Sequence, residues 1–299
     1  MEYEVIIIGG GIAGLQAAIQ LGRAQRSALV IDSNQGRSNL CRTYHNILGW
    51  PDGVSGEQLR KLGRQQAESV GIQFMEDTVI SAEKGDHIFR VKTKQGSALE
   101  AKRILIATGI LDRIPDMPEI YQCLGSSVYI CPDCDGYEIK DQLTLVAGSG
   151  NPGANMALTL SYWTDRLIYI NHEQKKVDSR IMKKLKEKNI QYIHIPIKEA
   201  IVEKGDFTGF QLADGRLLSA GKCFLAFGGN EVRSGIAKQL GVEVLENNHI
   251  KVNRRTQETN VKGVWAAGDV TVHSEQTAIA MGDGLQAAIW IHKSLLQEK

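Results

Sequence analysis

Cys131 and Cys134, in the stretch ICPDCDGYE, are the residues of this sequence best suited to chemistry. Their C-x-x-C spacing can carry a two-electron dithiol–disulfide couple. Pro132 suits the first position of a helix, which puts Cys131 at the N-cap and Cys134 one turn later, on amides that favour thiolate. Asp133 and Asp135 push the other way, because nearby carboxylates raise a thiol pKa. The balance is that of a tuned redox couple rather than a permanently ionised nucleophile. A zinc site needs four ligands, and neither a second C-x-x-C nor an H-x-x-x-H accompanies this one, so no metal is expected.

Two glycine clusters flank the cysteines. Gly9, Gly11 and Gly14 fit G-x-G-x-x-G between the apolar run EVIII and LQAAIQLGRAQ. In such a turn one glycine makes the bend, one lets backbone amides approach a pyrophosphate, and one packs helix on strand. Asp32 closes the next apolar run, ALVID, where a carboxylate accepts hydrogen bonds from an adenosine ribose and disfavours a 2′-phosphate. Gly148, Gly150 and Gly153 repeat the pattern, with Glu173 in the place of the acid. Pro152 falls in the first helical turn, where its missing N–H does no harm. Two dinucleotide turns in one chain suggest one cofactor that stays and one that visits.

Positioning these residues requires strand–turn–helix–strand units. One runs from EVIII to ALVID. A second runs from QLTLVAG through SGNPG and ANMALTLSYW to RLIYIN, so the chain holds one module twice. Between and after them, IFRVKTKQGSALEAKRILIATG and GFQLADGRLLSAGKCFLAFGG read as glycine-turned hairpins, each ending in an apolar strand. VWAAGDVT followed by an amphipathic C-terminal helix completes the pattern. Breaks near Arg113–Pro118 and Gly228–Val232 delimit a central domain inserted into an outer one. The fold class expected is α/β, two Rossmann-like three-layer β/β/α domains, over residues 1–112, 113–230 and 231–299.

The 299 residues suit two domains, and 42% hydrophobic with 23% charged residues is an ordinary globular composition. A net charge of +1 argues against nucleic acid or anionic lipid as partner. Five cysteines are too few for a secreted disulfide scaffold, which points to a reducing compartment, the cytoplasm. The uncharged run from Val5 to Gly22 is read as neither signal peptide nor membrane span: Glu2 and Glu4 precede it and three glycines interrupt it.

CPDCDGYE between two dinucleotide turns, with GGGIAG before it and AAGD and QTAIAMGDGLQAA after it, resembles the low-molecular-weight thioredoxin reductase family over essentially the whole chain. The resemblance implies FAD held by the first turn and the C-terminal segment: Gly9, Gly11, Gly14, Asp32, Asn46, Gly268, Asp269 and Gln276. It implies NADH or NADPH at Gly148, Gly150, Gly153 and Glu173. By position, Cys134 would face the flavin, Cys131 would exchange with the external disulfide, and Asp135 would be the general acid and base. It also implies that the nucleotide domain rotates, so that disulfide and nicotinamide reach the flavin in turn. The activity expected is electron transfer from NAD(P)H through FAD and the cysteine pair to a thioredoxin-like protein or a small-molecule disulfide, by a homodimer.

Three departures from that family open alternatives. Asn171, His172 and Glu173 stand where thioredoxin reductases carry a His-Arg-Arg clamp for the 2′-phosphate, and Glu275 replaces an arginine before Gln276, which favours NADH unless Lys175, Lys176 or Arg180 curls back. The loop RSNLCRTYHNILGWPDG is closer to related dithiol oxidases that close disulfides in small metabolites with oxygen, although Asp135 follows the reductase pattern. A ferredoxin-fed reductase is the further alternative. His45 reads as a loop histidine, His273 as a polar cap, KKVDSRIMKKLKEK as a solvated helix face, and Cys41, Cys123 and Cys223 as bystanders.

Overall fold

The computed structural model describes residues 2–297. Its contacts divide the chain into two units: one comprises the N-terminal segment through Asn39, Gly56–Leu111 and the chain from Glu231 on; the other comprises Leu40–Ser55 and Asp112–Asn230.

The first unit is built on the strand Glu2–Ile8. Val5, Ile6 and Ile7 are fully buried, as a parallel strand covered on both faces requires. This strand pairs in parallel with Ala28–Asp32 and with Ala98–Ile106. Gln73–Glu76 extends one side in parallel, and Val264–Ala266 pairs with Ala98–Ile106 on the other. The long strand Ala98–Ile106 also joins Phe89–Thr93 and Val79–Lys84 in an antiparallel meander. Helices Ile12–Arg23 and Thr277–Leu296 approach so closely that a Cβ on Gly284 would meet the Ala13 carbonyl oxygen at 2.1 Å, and Ala17, Ala18, Ala287 and Ala288 are buried in the same core. The run from Val5 to Gly22 is thus divided between a strand and a helix, and among the described residues no helix is long and apolar enough to cross a membrane.

The second unit repeats this plan. Its parallel sheet runs in the order Gln191–Ile193, Leu167–Asn171, Thr144–Gly148, Lys222–Ala226, Val128–Tyr129. The antiparallel strands Ile197–Glu203, Asp206–Leu212 and Leu217–Ser219 supply the second β layer, with Phe207 and Phe210 fully buried beneath it. The lysines of Ser179–Glu187 face solvent around a single buried Leu185, in keeping with a solvated helix face.

The loop 40–55, expected within the first part of the outer domain, groups with the central unit. A bridge between Tyr44 and Val54 closes it, the Arg42 N–H donates to the Leu124 carbonyl at 3.1 Å, and Gly125 leaves no room for a side chain against Cys41.

Candidate active site and nucleotide turns

Cys131 and Cys134 form a disulfide with Cα atoms 5.3 Å apart. Cys131 is the N-cap of a one-turn helix, Pro132–Asp135, and its Sγ accepts the Cys134 N–H at 3.2 Å. The local reading of Pro132 therefore matches the structure. Both cysteines are half-buried.

Asp135 follows directly, half-buried, and its carboxyl is pushed up to about 7. Burial is the main cause, the Glu138 carboxylate adds to it, and Lys222 opposes it. Glu138 Oε1 lies 3.2 Å from His45 Nδ1. Lys222 donates to the Tyr129 hydroxyl at 2.7 Å and the Ser126 carbonyl at 3.1 Å. Glu138, Lys222 and Tyr129 were not singled out from the sequence. Tyr129 and Lys222 are 93 residues apart and meet because Val128–Tyr129 and Lys222–Ala226 are sheet neighbours.

The remaining cysteines are poorly placed for redox work. Burial pushes the Cys41 thiol up to about 12, and Cys123 and Cys223 are buried with raised thiols.

Gly9 adopts φ +108°, open to glycine alone, and any Cβ there would meet the Ala107 carbonyl oxygen at 2.3 Å. Gly11 caps helix Ile12–Arg23, and a Cβ on it would meet nothing within 4 Å. A Cβ on Gly14 would run into the Gly9 carbonyl at 1.9 Å, so the third glycine packs helix on turn. Asp32 ends its strand and accepts from Arg60 Nη2 at 2.7 Å, while Arg60 Nη1 is buried without a hydrogen-bond partner.

Gly268 and Asp269 form a turn whose Cα side packs on Ala13 of the same helix. Asp283, buried on the C-terminal helix, anchors it by accepting from the Gly268 N–H at 3.1 Å, Gln257 Nε2 at 2.9 Å and His273 Nε2. Asp269 pairs with Arg37, which also pairs with Glu275. Gln276 is the N-cap of Thr277–Leu296. The first unit thus brings together Gly9, Gly11, Gly14, Asp32, Gly268, Asp269 and Gln276, whereas Asn46 lies exposed on the loop that groups with the other unit. Open space over Gly11, a carboxylate at the end of the neighbouring strand and an unpartnered guanidinium nitrogen suit a dinucleotide with anionic phosphates, so these residues fit FAD.

In the second unit, Gly148, Gly150 and Gly153 stand at the equivalent turn. Asn171, fully buried at the strand end, accepts the Gly150 N–H at 3.0 Å. Glu173 is ion-paired with Arg113 and, at 2.9 Å, with Lys175 Nζ. The Ser149 hydroxyl, then Lys175 and Arg113, hold its carboxyl down to about 2. Arg113 is itself fixed, its N–H donating to Asn230 Oδ1 at 3.1 Å and Nη1 to the Phe227 carbonyl at 3.3 Å. A cleft of about 570 Å³ beside this turn is bordered by Lys175, Lys176, Tyr192 and His194.

Residues 3–284 match the family model described as pyridine nucleotide-disulphide oxidoreductase. The chain belongs to this family. It is 30% identical to a thioredoxin reductase of Rickettsia bellii over 98% of each chain. It is 29% identical to a bifunctional thioredoxin reductase/thioredoxin of Mycobacterium leprae, over 96% of this chain and 64% of that one. Among solved structures, HlmI superposes with a TM-score of 0.88 at 28% identity, covering 99% of this chain and 93% of that one. The thioredoxin reductase of Giardia duodenalis superposes with a TM-score of 0.83 at 26% identity, covering 99% of each. The protein is accordingly a flavin-dependent disulfide oxidoreductase of the thioredoxin reductase family, whose cofactors are FAD and NAD(P)H.

Proposed function

We propose that this chain reduces a protein disulfide of the thioredoxin type through Cys131 and Cys134, as a cytoplasmic homodimer. The observation that carries the reading is the Cys131–Cys134 disulfide on a short helix directly before a carboxyl poised near neutrality. Its similarity to a reductase fused to thioredoxin supports thioredoxin over a small-molecule acceptor.

Bound FAD supplies a two-electron acceptor and donor. In this reading Cys134 would be the cysteine that exchanges electrons with it, and Cys131 the one that attacks. Once both are reduced, the Cys131 thiolate attacks one sulfur of the substrate disulfide, forming a mixed disulfide and expelling the other sulfur as thiolate. Asp135, half-protonated near pH 7, gives that sulfur its proton. The Cys134 thiolate then attacks Cys131 Sγ, releases the second substrate thiol and restores the disulfide. The cysteine pair loses two electrons and the substrate gains them; Asp135 gives one proton and recovers it as Cys134 ionises, and the second released sulfur takes its proton from solvent.

FAD would be held by Gly9, Gly11, Gly14, Asp32, Gly268, Asp269 and Gln276, with Asn46 assigned to it from the loop. Pyridine nucleotide is assigned to Gly148, Gly150, Gly153 and Glu173, and the ionised Glu173 favours NADH over NADPH. Residues 1–112 and 231–299 are the FAD domain and 113–230 the nucleotide domain in this reading. A coupled assay with thioredoxin tests it. NADH-dependent thiol release that stops in Cys131→Ser is expected, and release that persists in that variant would refute it.

A further inference from the structure

The two glycine turns differ at their second glycine, the position where backbone must lie bare for a pyrophosphate. Over Gly11 there is nothing within 4 Å. Over Gly150, a Cβ would meet the Lys175 side chain at 3.1 Å and the Lys176 carbonyl oxygen at 3.2 Å. The Gly150 N–H, a natural phosphate donor, is already spent on Asn171 Oδ1 at 3.0 Å. The same Asn171 donates Nδ2 to the Lys175 carbonyl at 2.6 Å and to the Tyr192 hydroxyl at 3.0 Å. One buried amide therefore clamps the glycine turn and the 173–176 turn to each other.

The covering turn is also a strained one. Gln174 sits at φ +54°, in the left-handed region that a non-glycine side chain disfavours by about 1–2 kcal/mol. It is held by its N–H to the Asn171 carbonyl at 3.1 Å and by Nε2 to the His194 carbonyl at 3.2 Å. Glu173, the ribose acceptor of the motif, is occupied by Arg113 and Lys175.

We propose that the turn from Asn171 to Lys176 is a built-in plug over the second nucleotide site, and that a pyridine dinucleotide binds only when this turn lifts off Gly150. The inference rests on the assignment of this module to pyridine nucleotide. Asn171 is a positioning residue here: it sets the fraction of molecules in which the site is open, and apparent affinity falls by that fraction. Entry of the dinucleotide replaces the Asn171 side chain at the Gly150 N–H with a phosphate oxygen and frees Glu173 for ribose hydroxyls. Arg113, released from Glu173, then faces the incoming anion.

Calorimetric titration of the FAD-loaded full-length protein with NAD+, which cannot reduce the flavin, tests the plug in wild type, Asn171→Ala and Lys175→Gly. Removing two hydrogen bonds of the clamp should tighten NAD+ binding about tenfold in Asn171→Ala. The exposed Lys175→Gly change should tighten it about threefold, and it decides the matter alone if the buried variant fails to fold. Equal affinity in all three proteins would overturn the plug and leave the nucleotide site standing. No NAD+ binding in any of them would overturn both.

Discussion

The two modules of this chain share strand order, glycine spacing and a terminal acid, yet they present opposite surfaces to a ligand. At the first turn the acid is met by Arg60 of the helix Gly56–Ser69, Gly11 is bare, and one guanidinium nitrogen waits unpartnered. At the second the acid carries two cations, Gly150 is covered, and a buried asparagine takes the amide. A duplicated scaffold can thus serve a resident cofactor at one copy and a gated visitor at the other. The difference lies in side chains outside the glycine motif.

The largest expected effect concerns the chemistry that the second unit carries in addition to its turn. Cys131→Ser or Cys134→Ser should lower disulfide turnover by at least about 10³-fold while leaving the flavin spectrum intact, because the attacking or resolving sulfur is gone. Steady-state thiol release measures this. Turnover within tenfold of wild type would remove the redox pair from the account.

Next is the proton. Asp135→Asn should cost about 10²-fold in turnover, within the usual range for a positioned acid. With the Asp135 carboxyl raised from 3.8 to about 7, the protonated acid is present below pH 7 and declines as pH rises above it. The wild-type rate should therefore fall on the alkaline side, and that fall should be absent from a pH profile of the variant.

The turns themselves are separated by matched alanines. Gly11→Ala should weaken FAD binding about tenfold and leave unfolding of the apoprotein unchanged, since its Cβ enters only ligand space. Gly150→Ala should instead cost roughly 1–2 kcal/mol of stability, because φ is +52° and Lys175 is in the way. Denaturant midpoints and flavin release compare the two, and equal behaviour would erase the contrast.

The smallest effect belongs to Glu173. Its folded pKa is depressed from 4.5 to about 2, so its ion pairs contribute stability above pH 4.5 that is lost as pH falls toward 2. Solvent screening reduces this to about 1 kcal/mol. Urea midpoints of wild type should drop between pH 5 and pH 2.5 by more than those of Glu173→Gln.

Much of this architecture is legible locally. Gly9, Gly11 and Gly14 announce a turn because they stand within a few residues of one another, with Asp32 closing the next strand, and Pro132 fixes Cys131 as an N-cap by its own ring geometry. What the sequence conceals are partners supplied from afar: Arg60 reaches Asp32 across 28 residues and Arg113 reaches Glu173 across 60. No spacing rule links them, since both meetings follow from tertiary packing. Asn171 is hidden differently. It was visible as a replaced clamp residue, but that its amide would turn inward to Gly150 depends on a turn at Gln174 that carries no glycine. The grouping of the loop 40–55 with the central unit is concealed for the same reason, since its ties to Leu124 and Glu138 are long-range as well.

The measurement that bears most directly on the account is an anaerobic reductive titration of the purified flavoprotein with dithionite, following flavin absorbance and free thiols together. A two-electron disulfide in series with a two-electron flavin should consume about four electrons per chain in wild type and about two in Cys134→Ser. A wild-type protein that takes up only about two electrons and releases no thiols would contradict the central claim that Cys131 and Cys134 are the flavin's redox partner.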